Sequence, residues 1–151
     1  TYIFDLMTPF YKNTRSEINK MPKIYALDLG IRNYMLRQFE IVDFGLMGGI
    51  VENFVYLNLL QQFSKDYIHF YRTISGSEID FVLENDNGRK FLCEVKFRNK
   101  ISESVALKNF EKKYSDAVEK KIIITKNLLD IKNNIYYIPA VLLPFVDLQK
   151  T

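Results

Sequence analysis

The chain has few of the residues that build disulfides, zinc sites or membrane spans. Its 151 residues include one cysteine (Cys93), one histidine (His69) and no tryptophan. One cysteine excludes an intramolecular disulfide, and with a single histidine it cannot supply the four ligands of a usual structural zinc site. The apolar runs are far shorter than the roughly 20 residues of a membrane-spanning helix. We therefore expect a cytoplasmic protein with no membrane partner.

Proline and glycine are also scarce, with four and six residues respectively. No linker, repeat or low-complexity tract divides the chain, so we expect one compact unit. The sequence also lacks the Gly-x-x-x-x-Gly-Lys-Ser/Thr motif of a nucleotide-binding P-loop. These residues are therefore not expected to bind ATP.

Charge is unevenly distributed, although the net charge is only +3. Residues 38–95 carry nine acidic and four basic groups, and residues 96–126 carry nine basic and four acidic groups. The pattern is compatible with chance clustering on a solvated surface, or with a metal site beside a phosphate-binding surface.

The order of apolar patterns predicts an α+β fold with an α/β sandwich core. Residues 1–40 form an N-terminal extension of strands and a helix, and residues 41–151 form the core. The extension contains a strand over residues 2–11, a strand over residues 23–28 and a helix from Gly30 to about Phe39. Core elements are a helix over residues 50–63, strands near 67–73, 78–84 and 90–97, a helix from Ser102 to about Val118, and strands at 122–125 and 135–138.

The two strands around residues 78–84 and 90–97 predict their own register. Apolar side chains occupy the odd positions of both, so burial favours pairing odd with odd. Such pairing also brings Asp80 and Glu94 onto one face. It requires an odd-length loop or a bulge around Asn87-Gly88.

Asp80 and Glu94 predict a Mg²⁺ or Mn²⁺ site if they lie as close as this register implies. Adjacent carboxylates repel unless a proton or a cation lies between them, and Mg²⁺ favours hard oxygen ligands. Lys96, two residues after Glu94, can orient a water or stabilise phosphate charge. The alternative is a solvated sheet face with ordinary surface charges.

Glu52 adds a third carboxylate to this prediction. On a helical wheel it shares a face with Val55, Leu59 and Phe63, where an unpartnered acid would be costly. A metal site would explain its position. The alternative is a first-turn acid favoured by the helix dipole.

One pattern resembles the PD-(D/E)XK nuclease superfamily. It consists of a helix with an inward glutamate, then Asp80, and after thirteen further residues Glu94-Val95-Lys96. Five segments together resemble the uncharacterised C-terminal domain of prokaryotic AAA+ ATPases. They are Lys23-Ile24-Tyr25-Ala26-Leu27-Asp28-Leu29-Gly30, Gly49-Ile50-Val51-Glu52-Asn53, Tyr71-Arg72, Gly76-Ser77-Glu78-Ile79-Asp80-Phe81 and Glu94-Val95-Lys96.

The resemblance implies a restriction-endonuclease-like core of order α-β-β-β-α-β, following a possible winged-helix remnant within residues 1–40. It implies metal binding by Asp80 and Glu94, with Glu52 as the helix carboxylate, and assistance of hydrolysis by Lys96. Ile79 replaces the proline that the superfamily motif has before its aspartate. ATP would bind only to an upstream ATPase domain.

Two functions follow from the resemblance as expectations. One is a metal-dependent DNA nuclease coupled to the ATPase, and the other is a non-catalytic domain that binds nucleic acid or protein for the ATPase. Candidate DNA contacts are Arg72, Lys108, Lys112 and Lys113, whose alternative interpretation is solvated surface charge. A purely structural dimerisation unit is a third alternative, and the sequence leaves the oligomeric state open.

Overall fold

A computed structural model describes residues 3–10, 21–37, 39, 44–73, 76–98, 101 and 104–150. The strands in these ranges are β1 (Phe4–Met7), β2 (Lys23–Ala26), β3 (Ile68–Arg72), β4 (Glu78–Glu84), β5 (Lys90–Lys96), β6 (Val118–Thr125), β7 (Asp130–Lys132) and β8 (Ile135–Pro139). The α-helices are α1 (Leu29–Leu36), α2 (Phe44–Leu59) and α3 (Val105–Lys113). Short 3-10 helices cover Lys65–Tyr67, Ser115–Ala117 and Ala140–Phe145.

Six strands form one mixed sheet in the order β3-β4-β5-β6-β8-β7. The first three strands are an antiparallel meander, and β6 then pairs parallel to β5. Between those two parallel strands the chain passes through α3, as a parallel connection requires. The predicted α+β class is confirmed.

Two apolar clusters cover the two faces of this sheet. On one face, α2 packs through Val55 and Leu59, which are fully buried in the same cluster as Phe81 of β4. On the other face, α3 packs through Leu107 and Phe110. The central strands are covered on both sides, which explains the continuous apolar sequence of β6.

The N-terminal strands form a separate antiparallel pair that lies against α2. Asn53 of α2 is 4% exposed, and its side-chain amide bonds the backbone of Ala26 twice, donating to the carbonyl and accepting from the amide, each at 2.8 Å. The rings of Tyr25 and Tyr56 stack beside it with centroids 4.3 Å apart. These contacts fix the position of β2 beside the second half of α2.

The β4–β5 hairpin has the predicted register. Phe81 pairs with Cys93 and Leu83 with Phe91, and the connecting loop is the odd-length segment 85–89. Gly88 adopts a φ of 73°, a conformation that L side chains rarely take, so glycine suits this turn. The buried apolar row therefore fixed the register, as expected from the sequence.

A bulge interrupts β4 at its acidic end. His69 pairs with Val82 but Tyr71 pairs with Ile79, so Asp80 and Phe81 together face one residue of β3. The extra residue shifts the alternation of side chains: Ile79 and Val82, three positions apart, both belong to the cluster that packs on α3. The bulge therefore turns Asp80 to the α2 side of the sheet.

Several predicted boundaries differ from those observed. Helix α2 begins at Phe44, so the glycines at 45, 48 and 49 lie inside it, where the sequence predicted a loosened segment. Helix α3 begins after Ser104, whose hydroxyl accepts from the Leu107 amide at 3.2 Å; Ser102, the predicted cap, lies outside the described residues. Strand β7 was not predicted.

Within the described part of the chain, no helix is both long and apolar enough to cross a membrane. The predicted extension over residues 1–40 contains β1, β2 and α1. Its side chains reach the sheet and take part in the site described below.

The paired amide contacts of Asn53 predict a measurable contribution to stability. Asn53→Ala leaves the two buried backbone groups of Ala26 unpaired, and we expect a loss of about 1–3 kcal/mol in the free energy of unfolding. Urea denaturation measures this. Asn58→Ala on the same helix is the matched control, since its side-chain amide bonds the Phe54 carbonyl one turn earlier in the same helix. Equal losses in the two variants would contradict a docking role for Asn53.

Candidate functional site

A lysine ammonium from β2 lies among three carboxylates at the end of the sheet. Lys23 Nζ is 2.8 Å from Glu52 Oε1, 2.5 Å from Glu78 Oε1 and 3.5 Å from Asp80 Oδ1. We call these four residues the Lys23 cluster. Its side chains are 17–26% exposed, so their charges interact more strongly than charges on an open surface.

Glu52 is held in this cluster by two donors from β2. The Tyr25 hydroxyl donates to Glu52 Oε1 at 2.6 Å, and Lys23 bonds the same oxygen. Burial and the Glu52 carboxylate raise the pKa of Tyr25, which therefore remains a proton donor. The predicted inward orientation of Glu52 is explained by these two partners.

Asp80 connects the cluster to β5. Its Oδ2 accepts a hydrogen bond of 2.8 Å from the backbone amide of Val95. Val95 is the residue between Glu94 and Lys96. The bulge in β4 allows this contact, because it brings the carboxylate toward the neighbouring strand. The other oxygen, Oδ1, has the long 3.5 Å contact with Lys23, beyond the roughly 2.7–2.9 Å of a good charged hydrogen bond.

The environment of Asp80 disfavours its negative charge. Burial and the Glu52 carboxylate raise the pKa of Asp80 to about 6, against the lowering effects of Lys23 and the Val95 amide. Glu94 adds a further raising effect, so this carboxylate is near enough to interact. A buried acid with a strongly shifted pKa is a feature of functional sites.

Glu94 and Lys96 form a second polar group on β5. Glu94 is 4% exposed, and its carboxylate accepts from the Ser104 hydroxyl and lies 3.0 Å from Lys96 Nζ. Ser104 also caps α3, so the start of that helix positions the carboxylate. Glu94 therefore contacts the α3 side, whereas Asp80 contacts β2 and α2.

The structure thus brings the predicted residues together in two adjoining groups. Asp80 and Glu52 share the Lys23 cluster, and Glu94 and Lys96 adjoin it through the Asp80–Val95 hydrogen bond. The register predicted that Asp80 and Glu94 share one face of the sheet, and this prediction is wrong. The bulge turns Asp80 to the α2 side, whereas Glu94 contacts the α3 side. Among the described residues, no three His, Cys, Asp or Glu side chains are arranged to hold one metal ion.

A cleft of about 470 Å³ opens beside the Lys23 cluster. Its lining includes Lys23 and the arginines Arg32 and Arg72. The Arg72 guanidinium donates to Glu78 Oε2 at 2.7 Å, which places this predicted nucleic-acid contact at the rim of the cluster. Glu52 and Glu78 of the cluster also line the cleft, so its wall carries basic and acidic groups together.

The predicted basic helix surface lies on α3. Lys108, Lys112 and Lys113 are exposed, and the opposite face of the helix is buried through Ala106, Leu107 and Phe110.

Cys93 is fully buried in the core, where desolvation raises the pKa of its thiol. A thiol buried in this way is an inert member of the core.

Sequence reasoning missed four contributors to the site: Lys23, Tyr25, Glu78 and Ser104. Lys23 and Tyr25 alternate on one strand, so they share a face, and a lysine on a short strand rich in apolar residues was the available signal. Glu78 precedes Asp80 by two residues. Nothing in the pattern indicates that β2 lies over α2.

The fold and site define an α+β domain with a partly buried acidic cluster at the end of a mixed sheet. A profile of the domain of unknown function family DUF4143 matches residues 47–143, and the chain belongs to that family. The family is found in AAA-ATPase-associated proteins. No curated protein and no solved structure matches the chain. Lys23 and Tyr25 precede the matched region.

The raised pKa of Asp80 predicts a pH dependence of stability. Its folded-state pKa of about 6 exceeds the ordinary 3.8, so the folded protein binds this proton more tightly than the unfolded chain. The free energy of unfolding should therefore fall as pH rises from about 4 to 6, by on the order of 2–3 kcal/mol. Asp80→Asn should remove this loss in urea denaturation with a chelator present.

Glu78→Gln is the matched control for this measurement. Arg72 and Lys23 lower the pKa of Glu78, so its ionised form stabilises the fold, and that stability is lost as pH falls below about 4.5. The Gln variant should change the acid limb and preserve the loss between pH 4.5 and 6. Identical profiles for wild type and Asp80→Asn would contradict the assignment.

Proposed function

We propose that the domain is a metal-dependent DNA nuclease of restriction-endonuclease-like fold, acting in the cytoplasm as the C-terminal domain of an AAA+ ATPase. Membership of a family found in AAA-ATPase-associated proteins supports the coupling. The succession α2-β3-β4-β5-α3-β6 has the α-β-β-β-α-β order of the PD-(D/E)XK core, which supports the fold. In the parent protein, ATP would bind to the ATPase domain.

The observation that carries the proposal is the hydrogen bond between Asp80 and the Val95 amide. It places one buried carboxylate directly beside the strand segment that bears Glu94 and Lys96. Asp80 and the Glu94–Lys96 pair then flank one strand junction, Asp80 from the α2 side of the sheet and the pair from the α3 side. Two acids and a lysine are the groups that metal-assisted phosphodiester hydrolysis uses. The chemistry is supported by these residues, and not by fold alone.

Asp80 and Glu94 would hold the metal, with Glu52 nearby, and their donor chemistry fits Mg²⁺ or Mn²⁺. Carboxylate oxygens are hard ligands, and Mg²⁺ needs only one or two of them because it keeps several waters. The contact of Asp80 Oδ1 with the Lys23 ammonium is 3.5 Å, longer than a good charged hydrogen bond, and a bound ion would replace it. A bound ion would supply Lewis-acid stabilisation of charge on the phosphate. Lys96 would stabilise the same charge and orient the attacking water.

Two sets of basic residues, one at the cleft and one on α3, would bind the DNA backbone. Arg32 and Arg72 line the cleft beside the cluster, and Lys108, Lys112 and Lys113 cover the exposed face of α3. Phosphate contacts of this kind position a nucleic acid without reading its sequence. These basic residues are therefore our reason to propose DNA as the partner.

A non-catalytic binding domain is the second candidate, and the Lys23 cluster favours it. Lys23 already neutralises part of the acidic charge, and Glu94 already bonds Ser104 and Lys96. Such a site could serve only to hold the fold together while the basic surface binds nucleic acid for the ATPase.

The nuclease proposal predicts cleavage of labelled DNA in Mg²⁺ or Mn²⁺ that Asp80→Asn abolishes. Lys96→Ala should mainly lower turnover, by about 10²-fold or more, and leave DNA affinity nearly unchanged, since its role is in the transition state. Glu84→Gln, at the opposite end of β4, is the matched control and should cleave like wild type. Cleavage that persists in Asp80→Asn would contradict the assignment.

The basic surface predicts the opposite division of effects. Reversing the charge of Lys112 and Lys113 should weaken DNA binding across all sequences and flatten its salt dependence, because fewer counterions are released. Fluorescence anisotropy at several salt concentrations measures this. If neither metal supports cleavage and salt-sensitive binding persists, the binding-domain function replaces the nuclease.

A further inference from the structure

We infer that Lys23 is a built-in competitor of the divalent cation, whose ammonium occupies the acidic cluster and must leave before a metal binds tightly to Asp80. The inference rests on the proposed metal site. It assigns an autoinhibitory role to the N-terminal strand pair, which lies before the part of the chain that the family profile matches.

The position of the ammonium carries this inference. One Nζ atom lies within 3.5 Å of oxygens from three carboxylates, on α2 and on two positions of β4. One of these oxygens belongs to Asp80, the carboxylate that the proposed metal would share with Glu94, so the ammonium and the metal would meet the same ligand. Lys23 therefore compensates the negative charge of Asp80, as a metal bound there would.

The charges of the cluster explain why Lys23 stays there. Its ammonium lies 2.8 Å from Glu52 Oε1 and 2.5 Å from Glu78 Oε1, which are distances of charged hydrogen bonds. Arg72 neutralises Glu78 from the other side. Three acids thus face two bases within the cluster and at its rim, which leaves about one negative charge to attract a further cation.

The surroundings allow Lys23 to move without unfolding the strand pair. Lys23 lines the 470 Å³ cleft together with Glu52 and Glu78, whereas Asp80 does not line it, so the flexible lysine side chain can swing away from Asp80 into that space. Its backbone stays fixed, because Asn53 holds the adjacent strand position at Ala26 and Tyr25 stacks on Tyr56. The displaced ammonium would then face a phosphate bound in the cleft.

Metal binding should consequently be weaker in the wild type than in a variant that lacks the ammonium. Lys23→Met keeps much of the apolar stem and removes the charge, so it should bind Mn²⁺ at least about tenfold more tightly. Lys23→Arg keeps the charge and is the matched control, expected to bind as weakly as wild type. Isothermal titration calorimetry on the 151-residue chain measures these affinities directly.

Terbium luminescence gives a second readout that does not depend on activity. The Tyr25 hydroxyl donates to Glu52 at 2.6 Å, so a Tb³⁺ ion in the cluster would lie close enough for excitation through this ring. Lys23→Met should reach half-maximal luminescence at a lower Tb³⁺ concentration than wild type. Mn²⁺ should displace the terbium from both proteins.

Lys23→Met also leaves three carboxylates with less compensation, which lowers stability without metal. The double variant Lys23→Met/Glu78→Gln removes one of these acids and provides a better-compensated test of the same question. Its circular dichroism spectrum and melting curve establish that it is folded before titration. Tighter Mn²⁺ binding in this variant than in wild type supports the competition.

Equal or weaker Mn²⁺ affinity in folded Lys23→Met, or no binding at all, would overturn the inference. The nuclease function is judged separately by cleavage. If Lys23→Met binds Mn²⁺ more tightly and no variant cleaves DNA, the competitor role stands and the nuclease falls. If wild type cleaves DNA and Mn²⁺ affinity is the same in all variants, the nuclease stands and the competitor role falls.

Discussion

The pairing of β4 with β5, together with the bulge of β4 against β3, determines both the core and the site. Phe81 opposite Cys93 aligns the apolar rows that pack on α2. At the next step the bulge places Asp80 on that side too, with its carboxylate against the Val95 amide. In a regular strand, Asp80 would lie on the same side of the sheet as Val82, which packs on α3. The irregularity that interrupts the ladder is therefore what creates a junction between the two acidic groups.

Electrostatics explains how the fold tolerates this junction. Glu52, Glu78 and Asp80 are partly buried, and their mutual repulsion would oppose folding without compensation. Lys23 and Arg72 provide that compensation, and Tyr25 orients Glu52 by a neutral hydrogen bond. Asp80 remains the least compensated, as its raised pKa shows. The proposed function needs a carboxylate that binds a cation next to a cleft that binds a phosphate. Asp80 beside the cleft would meet this need.

Much of the core could be predicted from the sequence because burial selects patterns that a reader can see. Odd-numbered apolar residues gave the hairpin register, and the stripe through Val55 and Leu59 identified the buried face of α2. Phe63, predicted as the end of that helix, lies beyond Leu59 but in the same cluster. The bulge at Asp80 escaped prediction, since it depends on pairing with β3 across the sheet. Lys23 escaped because it reaches the site only through the docking of β2 by Asn53. Both are long-range contacts, which local periodicity does not encode.

The most direct test of the account is the location of a divalent ion in a crystal of the chain grown with Mn²⁺, found by anomalous scattering. The account predicts a manganese peak at the junction of β4 and β5, bound by Asp80 and Glu94, with the Lys23 ammonium withdrawn toward the cleft. A crystal with manganese bound elsewhere, or with Lys23 still in contact with Glu52 and Asp80 and no peak at the junction at saturating Mn²⁺, would contradict it.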